Sequence, residues 1–243
     1  MSAFLKELSK FYGTGERNRA GQTLEEFLDR YDPYKYRTPS CTADAVIFSS
    51  RKPLTKELSG IKVLLVKRSN HPSIGFWALP GGFVDMEENL EESAKRELLE
   101  ETGISGLPME QIAAYGNYDR DPRTRVITTA YMALVQGQEP KACAGDDAAD
   151  AVWCELKLEK ADSRKQTQGT GQQEEKEVVV TTYRLSVKNQ EKHLDTCALV
   201  EQTRHLGLIR EESFVVKESG LIAVDHAAII VQALTILQGR CEK

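Results

Sequence analysis

The segment from Gly82 to Ile104 most narrows what this 243-residue chain can become. Asn89 with Glu92 three residues on opens a helix in capping-box fashion, Leu90–Thr102 has helix-forming composition, and Gly103 offers a left-handed stop. Inside that helix Glu97, Glu100 and Glu101 stand at i, i+3 and i+4, so three carboxylates project from one face. Neighbouring carboxylates about 6 Å apart repel by roughly 3 kcal/mol per pair at an effective dielectric of about 20, and by much less in open water. Two readings are open: a solvated glutamate-rich helix, or a buried edge that needs a counter-charge. Arg96 is expected to point elsewhere on the helix. The second reading therefore calls for a divalent cation on oxygen ligands, with Mg²⁺ keeping its waters and binding substrate phosphates. Leu90, Ala94 and Leu98, spaced by four, form the apolar stripe expected to dock the helix.

Around this helix the chain alternates between strand and helix signals. Amphipathic helices are expected over 2–11 and 22–31, the second with Thr23 as N-cap. Asp32-Pro33 and Thr38-Pro39 break the chain before a strand at Ala43–Phe48. Further strands are read at Ile61–Val66, Ile112–Tyr118, Val126–Val135, Ala151–Leu156 and Val178–Val187, and a C-terminal helix at Ile222–Gln238. Residues 157–177 are polar and read as a mobile hairpin tip or insertion. The charged 200–220 stretch, with His193 and His205, reads as solvated. The interleaving predicts an α/β (α+β) sandwich: an N-terminal helical extension over 1–40 and one catalytic domain over 41–243, with an insertion at 157–220.

The spacing Gly82-x5-Glu88-x7-Arg96-Glu97-Leu98-x-Glu100-Glu101-x-Gly103-Ile104 matches the Nudix box at every fixed position. At average residue frequencies such a match arises by chance on the order of 10⁻⁷ times per chain. The sequence resembles the Nudix hydrolase family. That resemblance implies an α/β/α sandwich with a mixed sheet, and Mg²⁺- or Mn²⁺-dependent hydrolysis of a nucleoside diphosphate linked to another moiety. Carried over position by position, Glu97, Glu100 and Glu101 match the family's metal ligands, and Gly81 a residue whose carbonyl joins them. Gly82, Glu88, Arg96 and Gly103 match residues that shape the loop–helix–loop. Phe76–Asp85, Arg120–Arg125, Gly145–Ala149 and Val224–Ile230 look like the ADP-ribose pyrophosphatase branch, which implies cleavage of ADP-ribose to AMP and ribose 5-phosphate.

Arg120, Arg123 and Arg125 place three guanidinium groups in one turn, suited to bidentate phosphate contacts, and Arg68 follows a strand near the box. Each is weighed against a solvated turn. Trp77 is a candidate base-stacking residue or a core residue, with core favoured. Asp146 and Asp147 fall where the family carries a loop carboxylate; the resemblance makes Asp147 the preferred general-base candidate, with Glu101 able to do the same work and Glu100 also counted as catalytic. His226 reads as a structural histidine. A net charge of −5 disfavours nucleic acid as a partner, and no apolar run reaches the roughly 20 residues of a membrane span. Five scattered cysteines without a Cys-x-x-Cys read as reduced thiols in a cytoplasmic protein. A homodimer built through the 1–40 segment is expected, with a nucleotide as the small-molecule partner. The rival functions are a house-cleaning triphosphate pyrophosphatase and an ADP-ribose-sensing regulator.

Overall fold

The computed structural model describes residues 4–145, 148–168, 176–209 and 211–241. The chain divides into two compact units, Met1–Pro39 and Ser40–Lys243. In the first, helix α1 (Leu24–Arg30) starts at a capping box in which Thr23 and Glu26 exchange backbone and side-chain hydrogen bonds. The helix expected over 2–11 is only a 3₁₀ turn at Ser9–Phe11, with no buried residue. So short a segment with no apolar face covered does not offset the cost of nucleating a helix.

In the second unit ten strands form one mixed sheet. They are β1 (Ser40–Ser50), β2 (Lys62–Arg68), β3 (Trp77–Ala78), β4 (Gly81–Phe83), β5 (Glu110–Tyr115), β6 (Val126–Gln136), β7 (Ala148–Gln168), β8 (Lys176–Asn189), β9 (Leu194–His205) and β10 (Glu212–Glu218). The order is β10-β9-β8-β7-β2-β1-β6-β5, with β3 on β2 and β4 on β1. The β1–β6 pair is parallel; the other pairs between named strands are antiparallel.

Alternation along the strands sorts side chains to the two faces. Ala45 and Ile47 of β1 pack with Leu64 against Leu98 of helix α2 (Leu90–Thr102). Val46 and Phe48 pack with Val63 and Leu65 against helix α3 (His226–Cys241) on the other face. The expected α/β/α layering is present. Helix α3 is buried nearly all round, from Ala227 through Leu237, because β8, β9 and β10 carry the apolar surface of Leu185, Val187, Val200 and Phe214 to it. Among the described residues no helix is long and apolar enough to cross a membrane.

Two expectations for the C-terminal half need correction. Residues 157–168, read as mobile, belong to β7 and pair with β8 from Lys157↔Ser186 to Gln168↔Lys176. They look unstructured because β2 pairs with β7 only up to Glu155, leaving this part of β7 an edge whose side chains are mostly exposed. Residues 169–175 lie outside the described residues. The 200–220 stretch, read as solvated, supplies half of β9 and all of β10, with Val200, Gln202 and Phe214 turned inward. His193 is exposed, whereas the His205 ring has a buried Nδ1 with no hydrogen-bond partner.

Candidate active site

Helix α2 carries the site. Glu92 accepts the Asn89 backbone N–H at 2.9 Å, opening the helix, and Gly103 closes it at φ 71° with its N–H donated to Leu99 O at 2.8 Å. Ala94 and Leu98 are buried as expected. Leu90 is 37% exposed, and its place in the docking face is taken by Ser93 and Thr102. Thr102 is accommodated there because its hydroxyl donates back to Leu98 O.

The helix meets the β4 segment at glycines. A Cβ on Gly82 would lie 2.5 Å from the Glu97 carboxylate, and one on Gly81 would lie 2.4 Å from Ala43 O. Both positions exclude any side chain, so the strand can press against the carboxylates. Gly81 N–H donates to Glu101 Oε2 at 3.0 Å. Burial pushes the Glu101 carboxyl up to about 7. The Gly81 N–H opposes that rise, and the charges of Glu97 and Asp44 add to it. Glu97 is also raised, chiefly by burial and against the pull of Arg96.

Arg96 corrects the expectation that it points away. Its Nε donates to Glu88 at 2.8 Å, Nη1 to Glu97 at 2.7 Å and to Glu100 at 2.9 Å, and Nη2 to Phe83 O at 3.0 Å. A flexible four-torsion side chain reaches across one helical turn, so the counter-charge comes from within the box. Glu88 is further held by the Ser93 hydroxyl at 2.6 Å.

Above the carboxylates opens a cavity of about 500 Å³. Glu97 and Glu101 line it; Glu100, with its side chain 56% exposed, does not. Arg68, Arg120 and Arg123 line it as well. Arg68 Nε donates to Pro72 O at 2.7 Å. Arg120 is buried, doubly hydrogen-bonded to Asp225 at 2.8 and 2.9 Å and 3.8 Å from Asp44. Arg123 is held by Asp121 at 2.8 Å. Arg125 and Trp77 are not brought into the cavity. Arg125 is exposed and its carbonyl receives the Ser40 N–H, while Trp77 is 4% exposed in the core, with Lys67 over its ring. Asp146 and Asp147 lie outside the described residues. His226 is structural as expected, its Nδ1 accepting the Leu79 N–H at 2.8 Å.

Sequence reasoning missed Asp44, Asp121 and Asp225. Asp44 had a signal: an acid within the apolar run Ala43–Phe48 must find a partner, and it accepts the Thr128 hydroxyl at 2.7 Å beside Arg120.

Residues 42–194, more than half of the chain, match the family described as NUDIX domain. The chain belongs to the Nudix family. This Nudix chain is 43% identical over 113 residues to an ADPR-responsive transcriptional repressor of Acinetobacter baylyi, covering 46% of this chain and 43% of the repressor. It is 37% identical over 135 residues to an ADP-ribose pyrophosphatase of Methanocaldococcus jannaschii, covering 54% of this chain and 73% of that protein. Among solved structures, a MutT/nudix family protein from Enterococcus faecalis aligns with a TM-score of 0.59 and 30% identity, over 89% of this chain and 70% of the other. The match thus spans less than half the length of the repressor and about three quarters of the pyrophosphatase.

The donors at this Nudix site are carboxylate and carbonyl oxygens, the chemistry of a hard divalent cation. Among the described residues no three Asp, Glu, His or Cys side chains stand ready to hold an ion; Arg96 sits between Glu97 and Glu100 instead. Two buried or half-buried carboxylates, both raised by burial, and a glycine cradle that leaves Glu97 room, fit such a cation in kind.

Proposed function

We propose that this protein hydrolyses the diphosphate bridge of a nucleoside diphosphate joined to a sugar phosphate, with ADP-ribose giving AMP and ribose 5-phosphate. The observation that carries this reading is Glu101, a buried carboxyl pinned by Gly81 N–H at the floor of a cavity walled by arginines. When bound by Glu97, Glu100, Glu101 and the Gly81 carbonyl, Mg²⁺ or Mn²⁺ activates water and neutralises phosphate charge. Glu101, held through one oxygen on the Gly81 N–H, keeps the other for that cation. Arg68, whose Nε donates to Pro72 O, offers its terminal nitrogens to the phosphates, and Arg120 is fixed by Asp225 to present its remaining donors.

Similarity to the repressor supports a second reading, an ADP-ribose sensor that binds without turning over. A panel of ADP-ribose, NADH, diadenosine polyphosphates, GDP-mannose and deoxynucleoside triphosphates, with Mg²⁺ or Mn²⁺ and with Glu101→Gln as blank, separates the readings. Preference for ADP-ribose, lost in the variant, supports the hydrolase. A triphosphate preference replaces it with the house-cleaning activity, and tight ADP-ribose binding with DNA retardation and no turnover favours the sensor. A homodimer through the N-terminal unit, where Phe27 and Tyr31 are exposed, is checked by sedimentation of the Phe27→Ser variant.

A further inference from the structure

Phe83 breaks the pattern of the cavity wall. It ends β4, where its carbonyl receives Arg96 Nη2 and its Cα pairs with Thr42 of β1, so its backbone is fixed from two sides. Its side chain is nonetheless 44% exposed, on a wall whose neighbours Asp85, Asp121 and Arg123 are polar. A phenyl ring left half in water on a rigid strand contributes little to folding.

Arg123 lies over that ring, its Cζ 5.4 Å from the centroid. Asp121 holds it there through Nε at 3.1 Å, Nη2 at 2.8 Å and the backbone N–H at 2.9 Å. The Arg123 charge is therefore already answered by a carboxylate, which leaves the guanidinium as a flat plate beside a flat ring. Phe83 lines the same cavity as Glu97 and Glu101.

We propose that Phe83, steadied by Arg123 and Asp121, is a stacking platform for the nucleobase of the substrate. The inference rests on reading the cavity as a nucleotide site and adds which wall receives the base. Stacking uses the π face that every base has, so the platform distinguishes a base from none and is tolerant of which base it is.

The test uses Phe83→Ala, Phe83→Leu and Phe83→Trp in the full chain, with AMP and ribose 5-phosphate as probes in calorimetry and inhibition. The Ala and Leu variants should bind AMP about tenfold more weakly, with ribose 5-phosphate unchanged, since Leu restores bulk but no π surface. In turnover the loss falls in KM rather than kcat. The Phe83→Trp variant should keep AMP affinity, and its added fluorescence should be quenched by AMP beyond the response of the parent protein. Equal AMP binding by Ala variant and parent, a parallel loss for ribose 5-phosphate, or absence of quenching overturns the platform. If AMP binding depends on Phe83 while the parent cleaves no diphosphate, the platform stands and the hydrolase reading falls. If ADP-ribose is cleaved with unchanged KM in the Ala variant, the reverse holds. A parent that binds no AMP overturns the platform outright.

Discussion

Neutralising Glu101 should make the metal-free protein more stable above neutrality while removing activity. The carboxyl rises from an ordinary 4.5 in the unfolded chain to about 7 in the fold. Below 4.5 both states hold the proton. As pH climbs through 4.5 the unfolded chain ionises first, so stability falls until the folded group also ionises near 7, and then levels off. The total handicap is about 3 kcal/mol. Glu101→Gln keeps an oxygen for the Gly81 N–H and cannot ionise. In EDTA at pH 8 the variant should therefore unfold about 6–12 °C higher than the parent, the two converging at pH 4.5. Circular dichroism melts at half-unit pH steps measure this directly. Glu97, also raised, depresses both proteins alike. If the variant melts no higher at pH 8, or by the same margin at pH 4.5, the burial argument is refuted. Added Mg²⁺ should raise the parent more than the variant, because only the parent has the third anionic ligand.

Other substitutions probe separate parts of the site. Gly82→Ala places a methyl 2.5 Å from the Glu97 carboxylate, so turnover should drop by about a hundredfold with an unchanged far-ultraviolet spectrum. Arg120→Met leaves Asp225 and Asp44 facing each other without a cation; chemical denaturation should show a loss of about 3–5 kcal/mol, partly recovered by adding Asp225→Asn. Leu98→Ala, at 1% exposure under β1, should cost about 2–5 kcal/mol in the same assay while the remaining folded protein keeps its KM.

What the sequence revealed was what is local. The Asn89 start and the Gly103 stop are set within a few residues of the helix they bound and appear where expected, while of the three glutamates Glu97 and Glu101 line the cavity and Glu100 does not. Continuous apolar runs marked β1 and β2 because both faces of those strands are covered. Beyond Leu158, β7 has no β2 residue opposite it and its described side chains are exposed, so hydropathy carries no trace of a strand that pairing with β8 nevertheless forms. Arg96 escaped because helical spacing locates a Cα and not the end of a long side chain. Arg120 was visible in its turn, but Asp225 lies 105 residues away, a separation no local pattern spans. Phe83 lies inside the Gly82–Ile104 segment, but the Arg123 that covers its ring comes from the distant turn before β6.

Helix α3 follows every strand in chain order, yet it fills the hollow that those strands surround. The Asp225 just before it seats Arg120, and its first residue, His226, anchors Leu79. A chain emerging from the ribosome therefore carries the whole acidic edge long before it can assemble the opposite wall. A product broken off before residue 225 keeps the carboxylates of helix α2 but lacks the partner that seats Arg120, and is a sheet with its apolar lining open to quality control.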